Sequence, residues 1–294
     1  MMELSDYCFQ VAFGVGRSVA RAWKACYRAK EGEGVYFDSP AKVQVPIFDG
    51  SNQGDIEKAI EKIHMGYDQG VLLLDVDLTS LELGETEGYP WEVETLQSVK
   101  GKLARLEQIK SFGAEPYEIA LGVYCESAFY DERTGLLTKK GYVYHKDQFK
   151  QKVNSGEIQI PNLIQPLYIV ADLCNMKAGN TNIGEVRVDP LLDAFGIAFN
   201  DSLRKPEYTV DTLHKGQDSG REINGLYDLV LGRGIETNST LRPSGSGGDE
   251  AVAYAYLPTD LSILRRICLR AQNNIYVEQK KVAEILFVDK SFIT

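Results

Sequence analysis

The apolar run at residues 71–81 constrains the fold of this chain more than any other segment. Gly70 and Gly84 bracket the run, and two acids, Asp75 and Asp77, follow its leucines. A short apolar run between turn residues is typical of a strand that is buried on both faces of a sheet. The run therefore predicts a strand in the middle of the core, in a sheet that helices cover.

Composition excludes several classes of protein. The chain has 294 residues, of which 44% are hydrophobic, so it can bury a large core. We find no run of the roughly eighteen apolar residues that span a bilayer, and no basic start followed by an apolar stretch. The five cysteines form no C-x-x-C pair, which argues against a disulfide framework and a thiolate zinc site. We expect a cytoplasmic or particle-associated protein without a membrane span and not secreted through a signal peptide.

The net charge of −10 is unevenly distributed along the chain. Residues 1–35 carry a balance of +1, so the rest of the chain carries −11. Contacts with phosphates dominate nonspecific nucleic-acid binding, and they need cations. We therefore expect no nucleic acid to bind through the acidic body.

The basic segment near the N-terminus predicts a helix over residues 15–30. Its apolar residues, spaced by three or four positions, are Val19, Trp23, Cys26 and Tyr27. Such spacing places them on one face, and the other face is basic. We expect residues 1–40 to form an N-terminal helical arm whose cations face the acidic surface of the rest of the chain. Contact with a lipid or a nucleic acid is the alternative.

Strand and helix patterns alternate along much of the remaining chain. Strands are predicted at residues 43–48, 118–124, 167–171, 226–231 and 252–257. Helices are predicted at residues 55–64, 90–113 and 189–203, and from Asp260 onward. Charged turn residues between β-prone flanks predict a hairpin insertion near residues 128–144. We therefore expect residues 41–294 to form a single domain of the α/β or α+β class, with a mixed sheet, buried central strands covered by helices, and antiparallel hairpin excursions.

The pattern Asp-x-Asp-x-Thr after the apolar run resembles the first motif of the haloacid dehalogenase superfamily. The resemblance implies that Asp75 is a nucleophile toward a phosphoryl group and that Asp77 is its acid and base, with Mg²⁺ offsetting their charge. Residues 168–179 are similar to the metal-binding fourth motif of that family. The implied metal ligands are thus Asp75, Asp77 and Asp172.

The same resemblance assigns two further groups. Ser127 is the candidate for the hydroxyl of the second motif. The candidates for the lysine of the third motif are Lys139, Lys140 and Lys146. A Mg²⁺-dependent phosphohydrolase is therefore one functional hypothesis for this chain.

A parallel barrel is a weaker alternative. It would place paired carboxylates for glycoside hydrolysis at the carboxyl ends of its strands. These carboxylates would be Asp49, Asp77, Glu126 and Asp172. The sequence offers too few βα units for eight strands, and the predicted hairpin interrupts them.

No motif in the sequence supplies a stronger catalytic assignment. The glycine-rich residues 244–249 are not followed by Lys-Ser or Lys-Thr, so they predict a loop and not a phosphate-binding site. The three histidines are far apart and form no metal cluster. By elimination, we expect a non-catalytic structural or assembly subunit of a large homo-oligomer, such as a virion capsid or tail component, without a cofactor. The basic N-terminal segment and the hairpin would supply the contacts between copies.

Overall fold

The computed structural model of the chain describes residues 8–32, 36–38, 71–81, 90–131, 136–157, 160, 164–202, 230–233 and 249–287. The strands are β1 (Val11–Gly16), β2 (Tyr36–Asp38), β3 (Val71–Asp77), β4 (Ile164–Leu173), β5 (Val230–Arg233) and β6 (Glu250–Pro258). The helices are α1 (Val19–Lys30), α2 (Pro90–Glu107), α3 (Ala114–Phe129), α4 (Lys139–Asn154), α5 (Met176–Ile183), α6 (Glu185–Ser202) and α7 (Leu261–Phe287). A short 3-10 helix, Gln108–Phe112, lies between α2 and α3.

The described strands form one mixed sheet in the order β2-β3-β1-β4-β6-β5. Strand β1 pairs in parallel with β3, and the other neighbouring strands pair antiparallel. The predicted class, a mixed sheet with buried strands covered by helices, is confirmed. The apolar run forms β3, and its Leu72 and Leu74 are fully buried. It was, however, wrongly placed at the middle, because β1 and β4 lie there and β3 is next to the edge strand β2.

The sequence pattern missed strand β1, as well as the short strand β2 and helix α5. The helix predicted from residue 15 begins at Val19, after the N-cap Ser18, and Val15 and Gly16 belong to the strand. Two glycines in a six-residue strand weaken its β signal, because glycine adds no side chain to pack. The described part of the expected N-terminal arm therefore consists of a strand between β3 and β4, a helix on the sheet and the edge strand β2.

Helices cover both faces of the sheet. One face packs against α6 and α7, through side chains such as Phe195, Phe199 and Leu264. The opposite face packs against α1 and α4, whose Tyr142 and Phe149 belong to the second cluster of buried residues. Adjacent strand residues point to opposite faces, so the two clusters lie on opposite sides of one sheet.

Two strand predictions in the middle of the chain are wrong. Residues 118–124 lie inside α3, and residues 142–144, expected as the end of a hairpin, lie inside α4. A single antiparallel bridge between Tyr130 and Leu137 lies in the segment where we predicted the hairpin. A short apolar run does not distinguish a buried strand from a helix, and here flanking residues extend the run to a sixteen-residue helix.

Other predicted elements agree more closely with the structure. The strands at residues 167–171 and 252–257 are confirmed as parts of β4 and β6. The helix at residues 90–113 is confirmed as α2 followed by the 3-10 helix. The helix at 189–203 begins earlier, at Glu185, and the helix after Asp260 continues to Phe287. The strand at residues 43–48, the helix at 55–64, most of the strand at 226–231 and the boundary at residue 40 lie outside the described residues.

Candidate functional site

The three aspartates of the predicted metal site lie on one face of the sheet. In the strand register, Asp172 of β4 is opposite Ala12, while Asp75 and Asp77 of β3 are opposite Gly14 and Gly16. These three positions of β1 are two residues apart and therefore face the same side. Helix α1 packs on that side.

Each aspartate is paired with a different cation of α1. Arg28 Nε lies 2.6 Å from Asp75 Oδ2, and Lys30 Nζ lies 2.8 Å from Asp172 Oδ2. The looser pair joins Arg21 Nη1 to Asp77 Oδ1 at 3.6 Å. The hypothesis that the cations of this helix face acidic groups of the body is therefore confirmed.

Burial and pairing shift the pKa values of these groups. Burial raises the pKa of the Asp172 carboxyl to about 6, against the opposing effect of Lys30. Burial would lower the pKa of Lys30, but the neighbouring Asp172 raises it above its ordinary value. Burial alone would also raise the pKa of Asp77, yet hydrogen bonds from Thr79 and the charge of Arg21 hold it below its ordinary value. The shifts of Lys30 and Asp77 favour their charged, ion-paired forms.

Glycines let α1 approach this face closely. A Cβ atom on Gly14 would lie 1.9 Å from the carbonyl oxygen of Ala22, and one on Gly16 would lie 2.4 Å from the Ala22 nitrogen. Solvent screens the ion pair of Arg28, whose side chain is 38% exposed, so this pair contributes at most about 1 kcal/mol to the docking of α1.

The structure does not gather the aspartates into one site. Strand β1 separates Asp75 from Asp172, which corresponds to about 10 Å across two strand spacings. Asp77 accepts hydrogen bonds from the Thr79 amide and hydroxyl, as a turn residue does. Among the described residues, no group of three or more His, Cys, Asp or Glu side chains could hold a metal ion.

The other groups implied by the resemblance lie apart from these carboxylates. Ser127 is on the exposed side of α3 and donates its hydroxyl to the Val123 carbonyl oxygen. Lys139 lies over the ring of Trp91, and Lys146 is paired with Glu92. The sheet also differs from a parallel barrel. Among the described strands, only β1 and β3 pair in parallel, and the other neighbouring strands pair antiparallel.

The buried pair of Glu92 and Lys146 is a feature that sequence reasoning missed. Lys146 Nζ donates to Glu92 Oε1 at 2.5 Å, and both residues are less than a tenth exposed. The ammonium group lies 5.1, 5.3 and 5.9 Å from the ring centroids of Tyr142, Tyr168 and Tyr254, within reach of cation–π attraction. The pair joins α2 to α4 above the sheet. Tyr254 and Tyr256 are two residues apart in β6, so the sequence could have indicated that both side chains are on one face of the sheet. It could not have indicated that a lysine of another element lies against that face.

The Tyr142 hydroxyl adds an unsatisfied group to this cluster. It is fully buried and has no hydrogen-bond partner among the described residues. Burial raises its pKa well above the ordinary value, so the phenol stays neutral. The cluster is compact and closed to solvent, which suits a structural tether better than a binding site.

Helix α3 has a different kind of surface. Its main packing partners are α2, the 3-10 helix and α4, and only its last residue, Phe129, is buried. Ile119 and Val123 are each 61% exposed, and Phe112, just before the helix, is 83% exposed. We call Phe112, Ile119 and Val123 the α3 patch. Ile119 and Val123 lie one turn apart on the same face of α3, and exposed apolar side chains grouped in this way are typical of surfaces that bind a partner.

Acidic residues border the α3 patch. Glu115 precedes Ile119 by one turn, and Glu126 follows Val123 by three residues, so both share the outer face of the helix. Glu118 is also exposed, and α3 contains no lysine or arginine. A partner of this surface would therefore be apolar at its centre and basic at its edges.

Comparisons with protein-family models, with curated proteins and with solved structures find no match to this chain. None of the described helices is long and apolar enough to cross a membrane.

Proposed function

We propose that this chain is a non-catalytic subunit of a homo-oligomer and that its copies associate through the α3 patch. The observation that carries the proposal is the exposure of α3, a helix of mainly apolar composition that buries only Phe129. A helix stabilised in a protein normally buries an apolar stripe. The outer stripe of α3 has no such cover among the described residues.

The carboxylates also favour this proposal over phosphoryl transfer. A nucleophilic aspartate and its metal ion need an open position for the substrate. Asp75 is instead covered by Arg28 of α1 and is 7% exposed. Its hydrogen-bonded pairing supports a structural role for this residue.

The form of the assembly is part of the proposal. A capsid or tail component is one form that such a subunit could take. Closed shells or tubes in negative-stain images of the purified chain would support it. Separate small oligomers would support association without a particle.

The double substitution Ile119→Glu and Val123→Glu tests the proposal. Burial of one such side chain contributes about 1.5–3 kcal/mol. We therefore expect the dissociation constant of the native assembly to rise at least about 100-fold, equivalent to about 2.7 kcal/mol. Light scattering after size-exclusion chromatography should give a native mass well above 32.8 kDa and a monomeric mass for the variant.

Val186→Glu is the matched control, because Val186 is 86% exposed on α6, away from the patch. It should leave the mass of the assembly unchanged. The proposal would be overturned if the native chain stayed monomeric at all concentrations. It would also fail if the double variant and the control assembled equally well.

A further inference from the structure

A second surface of the chain has the chemistry that the α3 patch requires. An open pocket of about 650 Å³ lies at the start of α7, and it is lined by Leu261, Ser262, Arg265, Arg266 and Leu269. We call it the α7 pocket. Leucines supply its apolar wall and two arginines supply positive charge.

In the first part of α7, which lines the pocket, every charged side chain is positive. Residues 261–277 include three arginines and no aspartate or glutamate. Asp260 precedes the helix, where its carboxylate accepts a hydrogen bond from the Ser262 amide and lies near Arg266. Helix α3 has the opposite composition, three glutamates and no basic residue. The two surfaces are therefore complementary in both charge and apolar character.

The fold keeps these two surfaces apart within one chain. Helix α3 packs on α4, which covers the same face of the sheet as α1, whereas α7 covers the opposite face. The patch and the pocket can therefore meet only between two copies. Each copy carries one of each, and such a contact is heterologous, so it generates a ring or a filament.

We infer that the α3 patch of one copy occupies the α7 pocket of a second copy in a head-to-tail contact. The inference rests on the proposed function and specifies its geometry. Ile119 and Val123 fill the space between Leu261 and Leu269, and the glutamates of α3 lie against Arg265 and Arg266. A symmetric contact between two α3 helices would instead bring their acidic borders together and leave the pocket empty.

Charge reversal on each side tests the contact. The patch variant carries Glu115→Arg and Glu126→Arg, and the pocket variant carries Arg266→Glu. Each variant alone brings like charges together at the contact, so association should weaken at least about tenfold. In an equimolar mixture, the reversed charges of the patch variant face the reversed charge of the pocket variant, so the native mass should return.

Lys281→Glu is the control on α7, because Lys281 is an exposed cation far along the helix from the pocket. It should associate as the native chain does, and circular dichroism should show that all variants are folded. Mass measured by light scattering at several concentrations is the readout for each variant and for the mixture.

The outcomes separate this inference from the proposed function. If the native chain associates and Arg266→Glu does so equally well, the head-to-tail contact is wrong while self-association stands. If both variants are monomeric but their mixture does not reassemble, the pairing of these surfaces is also wrong. If the native chain is a monomer, both proposals fail.

Discussion

Replacing Gly14 with alanine should lower the free energy of unfolding by about 3 kcal/mol or more, the largest effect we expect from so small a change. The added Cβ would lie 1.9 Å from the Ala22 carbonyl oxygen and 2.2 Å from the Cys26 nitrogen. Both are backbone atoms of α1, so the helix itself must move. Chemical denaturation in urea measures the loss.

Gly101→Ala is the matched control for this prediction. A Cβ on Gly101, inside α2, would meet nothing within 4 Å. Alanine is the better helix former, so stability should rise by about 0.5–1 kcal/mol. Equal effects of the two substitutions would show that α1 does not pack on β1 as closely as described.

Substitution Lys146→Met should cost about 3–5 kcal/mol, because it removes one partner of a buried ion pair. The Glu92 carboxylate would remain only 5% exposed, without the lysine that donates to it. Adding Glu92→Leu to Lys146→Met should recover much of the loss, since the buried carboxylate that lost its lysine is then removed as well. Urea denaturation of the two single variants and the double variant gives the coupling between the residues.

A second ion pair between the same helices provides the control. Lys100 of α2 lies 2.8 Å from Asp147 of α4, but the lysine side chain is 49% exposed. Lys100→Met should change stability by less than about 1 kcal/mol. If Lys146→Met lowered the free energy of unfolding no more than Lys100→Met does, the buried pair of Glu92 and Lys146 would not contribute to the attachment of α2.

The class of fold could be predicted from the sequence because buried strands are strongly apolar. Strands β3, β4 and β6 were predicted from apolar runs such as the one that ends at Asp75. Helix α2 was predicted from apolar residues that recur every three or four positions. Strand β1 escaped prediction because its two glycines weaken the signal. Those glycines are needed for the approach of α1, which is a tertiary requirement that no local pattern expresses.

Helix α3 shows a different limit of sequence reasoning. Residues 118–124 were predicted as a strand because seven mostly apolar residues in a row satisfy either structure. Pro116 in the first turn and the half-buried Tyr117, Leu121 and Tyr124, spaced by three and four, were the available signals of a helix. Exposure of the other face could not be predicted, because a sequence pattern does not show whether a partner element covers it.

In the candidate site, too, the sequence predicted the acidic residues but not the contacts that they make. Asp75, Asp77 and Asp172 were correctly identified as acids near the ends of buried strands. Their partners, however, depend on which helix lies above the sheet. Arg28 and Lys30 were predicted to face acidic groups, but the individual pairs required the register of β1 with β3 and β4.

The measurement that tests the central claim most directly is amide hydrogen exchange of the native chain at concentrations below and above its association midpoint. Our account predicts that amides of α3 exchange more slowly at the higher concentration, while those of β1 and β4 in the core do not change. Exchange in α3 that is independent of concentration, together with a mass that rises, would place the interface elsewhere and contradict the account.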